Sequence, residues 1–222
     1  MTLRKDRISR SLFLITLLMA LSLLPFSGEA KVIEECIYLV PAGNVDKKVL
    51  EKLKDKLPGV FPMTVKVMID QSKDIPQAAY DPLRKQYSAQ AILDDISQRI
   101  TLTLINERAL IVTDVDLYAP DLNFVFGLAD AKKGIGIISI ARLKTDGNVA
   151  ILYERALKEA AHELGHSWNI PHCPSPKCIM FFSGSLADTD KKRDSFCYKC
   201  QIGLENRSGG GGLFGQKLKQ LL

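Results

Sequence analysis

The stretch His162-Glu163-Leu164-Gly165-His166-Ser167-Trp168-Asn169-Ile170-Pro171-His172 gathers every histidine of the chain. On a helix, residues four apart stand one turn apart on one face, so His162 and His166 can turn imidazole nitrogens toward a single point. Such a pair suits a tetrahedral zinc ion. Glu163 lies beside that point, where a carboxylate can take a proton from zinc-bound water. A third ligand requires the chain to reverse sharply. Asn169 stands where the turn belongs, and His172 follows three residues later. The spacing HExxHxxNxxH therefore offers three imidazole ligands, an open coordination position and a general base. Two histidines on a helix by chance is the competing reading, and it leaves unexplained why all three histidines occupy ligand positions.

The chain has five cysteines: Cys36, Cys173, Cys178, Cys197 and Cys200. The last four read C-x4-C … C-x2-C, a spacing that suits a closed, structural zinc site within residues 173–200. Two disulfides are the alternative, and an oxidising compartment would favour them. Cys36 falls in an apolar run and is expected to be a buried strand residue without function.

The compartment is suggested by residues 1–30. Arg4, Lys5, Arg7 and Arg10 precede an almost unbroken apolar run from Leu12 to Leu24, and Gly28-Glu29-Ala30 is a small-residue cleavage site. This is the pattern of a signal peptide and predicts export, periplasmic or secreted. The apolar run of about 13 residues is short for a bilayer, which needs about 20. An uncleaved membrane anchor over residues 11–26 is the alternative. The remainder of the 222 residues, with 46% hydrophobic and 25% charged overall, reads as one globular domain over 31–205 and a tail over 206–222. The net charge of +5 is mild and its basic residues are scattered. Around the cysteines, Lys177, Lys191, Lys192, Arg193 and Lys199 are offset by Asp188, Asp190 and Asp194, so no nucleic-acid partner is expected. The expected state is a monomer, with membrane contact only through an uncleaved leader.

The histidines and cysteines must be positioned by regular elements. Val32–Val40 reads as a buried strand, with Asn44 a possible N-cap for a helix carrying Val45, Val49, Leu50, Leu53 and Leu57 and stopped by Pro58-Gly59. Met63, Val65, Val67 and Ile69 alternate as in a half-buried strand, and 70–82 reads as a loop. A helix is expected from Leu83 to Ile105. Strands follow over Ala109–Thr113, Asn123–Leu128 and Ile135–Leu143, then a helix from Ala150 to Asn169 that carries the histidines. Regularity fades after Cys200, and Ser208–Gly212 reads as a flexible linker. This order predicts an α+β fold, α/β-like in its layering, with a mixed β-sheet against helices.

The whole string, HExxHxxNxxHC-x4-C-x-M-x16-C-x2-C with Met180 after Cys178, resembles the archaemetzincin family of zinc metallopeptidases. Tyr80–Tyr87, Thr113–Tyr118, Asn123–Ala129 and Ser139–Leu143 also look like family segments, so the resemblance spans 32–205. Asn169 in place of the family's glycine and the export signal are departures; asparagine is the next most tolerant residue in the left-handed conformation. The resemblance implies a metzincin-type catalytic domain with two zinc ions. His162, His166 and His172 would hold the catalytic zinc, Glu163 would be the general base, and Cys173, Cys178, Cys197 and Cys200 would hold the structural zinc. Met180 would form an apolar floor beneath the metal. The substrate would be a peptide or protein, cut by aminopeptidase or short-peptide peptidase action, with a sheet edge, here Asn123–Ala129, lining the cleft. Tyr153 and Tyr198 read as packing residues. A catalytically inactive, zinc-stabilised binding module is the alternative, and Glu163 speaks against it.

Overall fold

The apolar runs assemble into a five-stranded sheet in a computed structural model that describes residues 34–144 and 147–208. The leader expected over 1–30 and residues 209–222 of the tail expected over 206–222 lie outside the described residues, whereas 206–207 belong to the last helix rather than to a tail. Strand β1 (Glu35–Ala42) runs parallel to β2 (Val65–Ile69) on one side and β5 (Glu107–Thr113) on the other. Strand β8 (Ile135–Ser139) continues parallel beyond β5, and β7 (Gly127–Asp130) forms the edge, antiparallel to β8.

The interior strands are apolar on both faces because helices cover both. Ile37, Leu39, Leu110, Val112 and Ile138 pack with Leu50 and Leu53 of α1 (Lys47–Lys56) and Ala160 and Leu164 of α3 (Val149–Ser167). Their alternate neighbours Val40, Ala109, Ile111 and Ile137 pack with Ile92, Leu93 and Ile96 of α2 (Ala89–Ser97). The expected mixed sheet layered with helices is thus the observed architecture. Two short helices, α4 (Leu186–Lys191) and α5 (Tyr198–Arg207), complete the described chain.

Several elements differ from the sequence expectation for local reasons. Asp46 rather than Asn44 caps α1, its Oδ1 accepting the Lys48 amide at 2.8 Å. The helix expected over 83–105 shrinks to α2. Asp81 accepts the amides of Leu83 and Arg84 at 2.9 and 3.1 Å, Lys85 takes a left-handed φ of 56°, and Leu83 is 95% exposed. At the other end the Glu107 carboxylate accepts the Thr103 and Leu104 amides at 2.6 and 3.0 Å, turning the chain into β5 instead of prolonging α2. The strand expected over 123–128 begins only at Gly127, and a helix, α5, replaces the irregular chain expected after Cys200. Cys36 is half-buried rather than enclosed.

The residues before β7 form a loop secured by a small second sheet of β3 (Tyr80–Asp81), β4 (Gln86–Ser88) and β6 (Leu117–Tyr118). Asp116 receives both Nε and NH2 of Arg142, at 2.6 and 2.7 Å, and the Arg142 guanidinium lies 4.4 Å from the Phe124 ring centre. The Gln86 amide bridges Asp116 and the Asn123 carbonyl at 3.1 and 3.0 Å, and Arg84 donates to the Leu122 carbonyl at 3.1 Å. Asp116→Asn should lower stability by about 1 kcal/mol and speed amide exchange selectively over residues 119–126. Exchange rising uniformly across the main sheet would contradict this local role.

Candidate metal centre and active site

Helix α3 starts at a capped turn, with Asn148 Oδ1 accepting the Ile151 amide at 3.2 Å. Its Ala156, Ala160, Ala161 and Leu164 are fully buried against the sheet, which fixes the rotation of the helix. His162, Glu163 and His166 then face a cavity of ≈ 620 Å³ walled by the chain from Leu122 to Ala129 and by Phe182.

The helix ends in a Schellman turn. Asn169 adopts φ 60°, its amide donates to the His166 carbonyl at 2.7 Å, and the Ile170 amide donates to the Gly165 carbonyl at 3.0 Å. This left-handed residue reverses the chain and delivers His172. One nitrogen from each of the three imidazoles then falls within 4.8 Å of the others.

The ring orientations are set from behind. His162 Nδ1 donates to the Ile179 carbonyl at 2.8 Å, and His166 Nδ1 donates to the Ile170 carbonyl at 2.7 Å. A neutral imidazole that donates from Nδ1 presents a lone pair at Nε2. The two Nε2 atoms lie 3.1 Å apart, so two lone pairs confront each other unless a cation lies between them. Zinc–nitrogen bonds near 2.0–2.1 Å at tetrahedral angles require a separation of about 3.3 Å, close to what the rings provide. Burial pushes His162 well below the ordinary histidine range, brings His166 down to about 4 and lowers His172 as well, with the Lys192 charge adding to each. Neutral rings are the form that binds metal. The donor set fits zinc.

Glu163 is 5% exposed and lines the same cavity. Burial raises its pKa well above the ordinary carboxylate value, and the nearby Glu159 charge raises it further against an opposing effect of Lys192. Two glycines make room for it. A Cβ on Gly127 would stand 2.6 Å from Glu163 Oε1 and 2.6 Å from the Ile137 carbonyl, and one on Gly136 would stand 3.2 Å from Glu163 Cβ.

The four cysteines Cys173, Cys178, Cys197 and Cys200 form a second cluster, all free thiols with sulfurs within 4.8 Å of one another. Cys173 and Cys197 are 3.8 Å apart, as are Cys178 and Cys200. A disulfide requires about 2.05 Å, whereas four thiolates on one zinc at 2.3 Å stand about 3.8 Å apart. Burial pushes the Cys178 and Cys200 thiols up. Cys197, which burial alone would also raise, is drawn down to about 7 by the Cys200 amide and neighbouring thiols. Met180 is fully buried and its Sδ abuts Gly165 of α3, between His162 and His166 in sequence.

Sequence reasoning missed Glu159, Ser183 and Phe182, which also line the cavity. Glu159 could have been found, because it is one helical turn before Glu163 on the same face. Phe182 packs its ring edge-on against His172, with ring centres 5.3 Å apart. Tyr198 is 75% exposed, Tyr153 packs at the margin of the core, and neither lines the cavity.

Three neutral imidazoles, a buried carboxyl beside them and a cavity bordered by a sheet edge define a zinc metallopeptidase. Peptidase family M54 matches residues 29–206. The archaemetzincin of Pyrococcus furiosus is 39% identical over 188 residues, covering 80% of this chain and 96% of its own. That of Methanocaldococcus jannaschii is 39% identical over 176 residues, covering 77% and 93%. The crystal structure of the Methanopyrus kandleri archaemetzincin superposes with a TM-score of 0.71 at 33% identity, covering 78% of this chain and 95% of that one. A zinc-dependent peptidase from Methanocorpusculum labreanum gives 0.69 at 31% identity, covering 76% and 99%. The chain belongs to peptidase family M54, the archaemetzincins, and is a zinc-dependent hydrolase of peptide bonds.

Two outcomes follow from the geometry. Gly127→Ala should displace Glu163 and lower peptidase turnover at least about tenfold while zinc content is retained; unchanged turnover in a crystal-verified variant would contradict the close packing. In metal-free protein, the unfolded chain protonates His166 near 6.5 while the folded chain does so only near 4, so the unfolded state binds more protons in between. Stability is then full above about 6.5 and falls as pH drops toward about 4. Melting temperatures of chelated His166→Leu protein should fall less over that window than those of chelated wild type, and identical slopes would contradict it.

Proposed function

We propose that this chain is an exported, monomeric zinc peptidase acting on short peptides or free amino termini, with Glu163 as its general base. His162, His166 and His172 hold the catalytic zinc, and Cys173, Cys178, Cys197 and Cys200 hold a second, structural zinc. The observation that carries the reading is the Glu163 carboxyl, buried beside the three imidazoles yet open to the cavity. A purely structural metal site has no use for a carboxylate in that place.

When bound, the catalytic zinc supplies Lewis acidity, bringing water ionisation to about pH 7 and polarising the substrate carbonyl. The chain's own groups supply the rest. The carbonyls of Ile179 and Ile170 keep His162 and His166 in the tautomer that presents Nε2. Glu163, buried beside the three imidazoles, accepts the proton of the attacking water and returns it to the leaving amine. Phe124, Phe126 and Phe182 limit the access of bulk water. The edge strand β7, antiparallel to β8, leaves one side of its backbone for an extended peptide.

Export is supported by the signal-peptide pattern of residues 1–30, with a membrane anchor over 11–26 as the other form such a segment takes. The peptidase domain expected over 31–205 extends through the end of α5 at Arg207. A cavity of ≈ 620 Å³ holds a few residues of peptide, which favours short substrates or chain ends.

Glu163→Gln should keep two zinc ions per chain and lose about 10²–10⁴-fold in peptide cleavage, measured on a mixed peptide library with and without chelator. Single residues released from amino termini would support the aminopeptidase reading, and internal cuts would replace it. Undiminished cleavage by Glu163→Gln would overturn the assignment of the base.

A further inference from the structure

Glu159 is the second carboxylate in the cavity wall, and the hydrolytic scheme above gives it no task. It stands on α3 one turn before Glu163, with a side chain 3% exposed. Its bonding is lopsided. Oε1 accepts three donors: Ser183 Oγ at 3.2 Å, Thr189 Oγ1 at 2.9 Å and Lys192 Nζ at 2.9 Å. Among the described residues, Oε2 receives no hydrogen bond. A tie whose only purpose was to bind α3 to the chain around α4 would engage both oxygens, since a carboxylate has about four acceptor positions.

The surroundings indicate what the unused oxygen is for. Lys192 is fully buried behind Glu159 and does not line the cavity. It pairs directly with Oε1 at 2.9 Å and so holds the carboxylate by one oxygen, leaving the other for recognition at hydrogen-bond range. Among the described residues, the cavity lining contains two carboxylates, Glu159 and Glu163, and no lysine or arginine. Its remaining wall is largely apolar, including Phe124, Phe126 and Phe182. An acceptor oxygen in such a wall is complemented best by a charged N–H donor.

We propose that Glu159 is a specificity-determining residue. Its free carboxylate oxygen accepts a hydrogen bond from a cationic nitrogen of the substrate, supplied by a free α-amino group or by a basic side chain beside the scissile bond. This rests on the reading that peptides are cut at Glu163. Four residues of helix, a rise of about 6 Å, separate the two positions along α3. A carbonyl held at Glu163 has its own α-nitrogen two bonds away, and a lysine side chain reaches roughly 6 Å from the backbone. Both sources can therefore span the interval.

The test uses peptide pairs that differ only in the cation: a lysine against a norleucine on either side of the cut bond, and an amino-terminal alanine against a propionyl group. Binding to zinc-loaded Glu163→Gln protein is measured by calorimetry, and kcat/KM is measured on the wild type. At least one pair should favour the cation by about tenfold or more, and that pair identifies the source. Adding Glu159→Gln should bring the preference close to one. Because that change strands the buried Lys192, Glu159→Gln/Lys192→Met is measured in parallel and should behave alike. Equal binding within every pair, or a preference that survives in both variants, overturns the proposal, and the first of these needs no variant at Glu159. A binding preference without wild-type cleavage would leave Glu159 standing and remove the reading at Glu163.

Discussion

The catalytic centre depends on one reversal of the chain. A helix can place His162 and His166 on one face unaided, but it cannot return a third ligand to the same point. That return is made at Asn169, whose φ of 60° lets its own amide and that of Ile170 close onto the last carbonyls of α3. The same turn brings the Ile170 carbonyl to His166 Nδ1, so the residue that redirects the backbone also fixes the tautomer of a neighbouring imidazole. Glycine would occupy this position without strain. Asparagine is tolerated there at modest cost, which explains how the motif departs from its usual spelling while its geometry holds.

Around that turn, the fold works by close approach. Gly127 and Gly136 let the edge of the sheet come against Glu163, and Gly165 lets Met180 slide under α3. A single methyl group at Gly127 or Gly165 would collide with these neighbours, and one at Gly136 would crowd Glu163. The cysteine cluster continues from the third histidine without a break, since Cys173 directly follows His172 and its amide bonds the Met180 carbonyl at 2.9 Å. Organising the four sulfurs therefore also constrains His172. The two clusters act as one mechanical unit, and the buried Lys192–Glu159 pair joins its far end back to α3.

The metal-ligand candidates were legible in the sequence because their signal is local: fixed spacings on one helix, one turn and two short loops. The interior strands β1, β5 and β8 were legible for a similar reason, as apolar runs buried on both faces. The failures came where tertiary contacts decide. Leu83 to Ile105 has helical periodicity, yet Lys85 takes a left-handed turn and the Glu107 carboxylate collects the Thr103 and Leu104 amides. The aromatics of 123–126 suggested a strand, but they line a cavity from a loop held by Gln86 and Arg142. Strands as short as β3, β4 and β6 carry no period to detect. Glu159 lies one helical turn before Glu163 and could have been placed near the site, but its pairing with Lys192 spans 33 positions and left no sequence signal.

The central claim is that one ion is held by three imidazoles and a distinct ion by four sulfurs. Zinc K-edge X-ray absorption on the purified protein tests it most directly. The account predicts two environments in equal amounts: nitrogen or oxygen neighbours near about 2.0 Å, and sulfur neighbours near about 2.3 Å. A sulfur shell alone, with no histidine scattering in metal-replete protein, would contradict it.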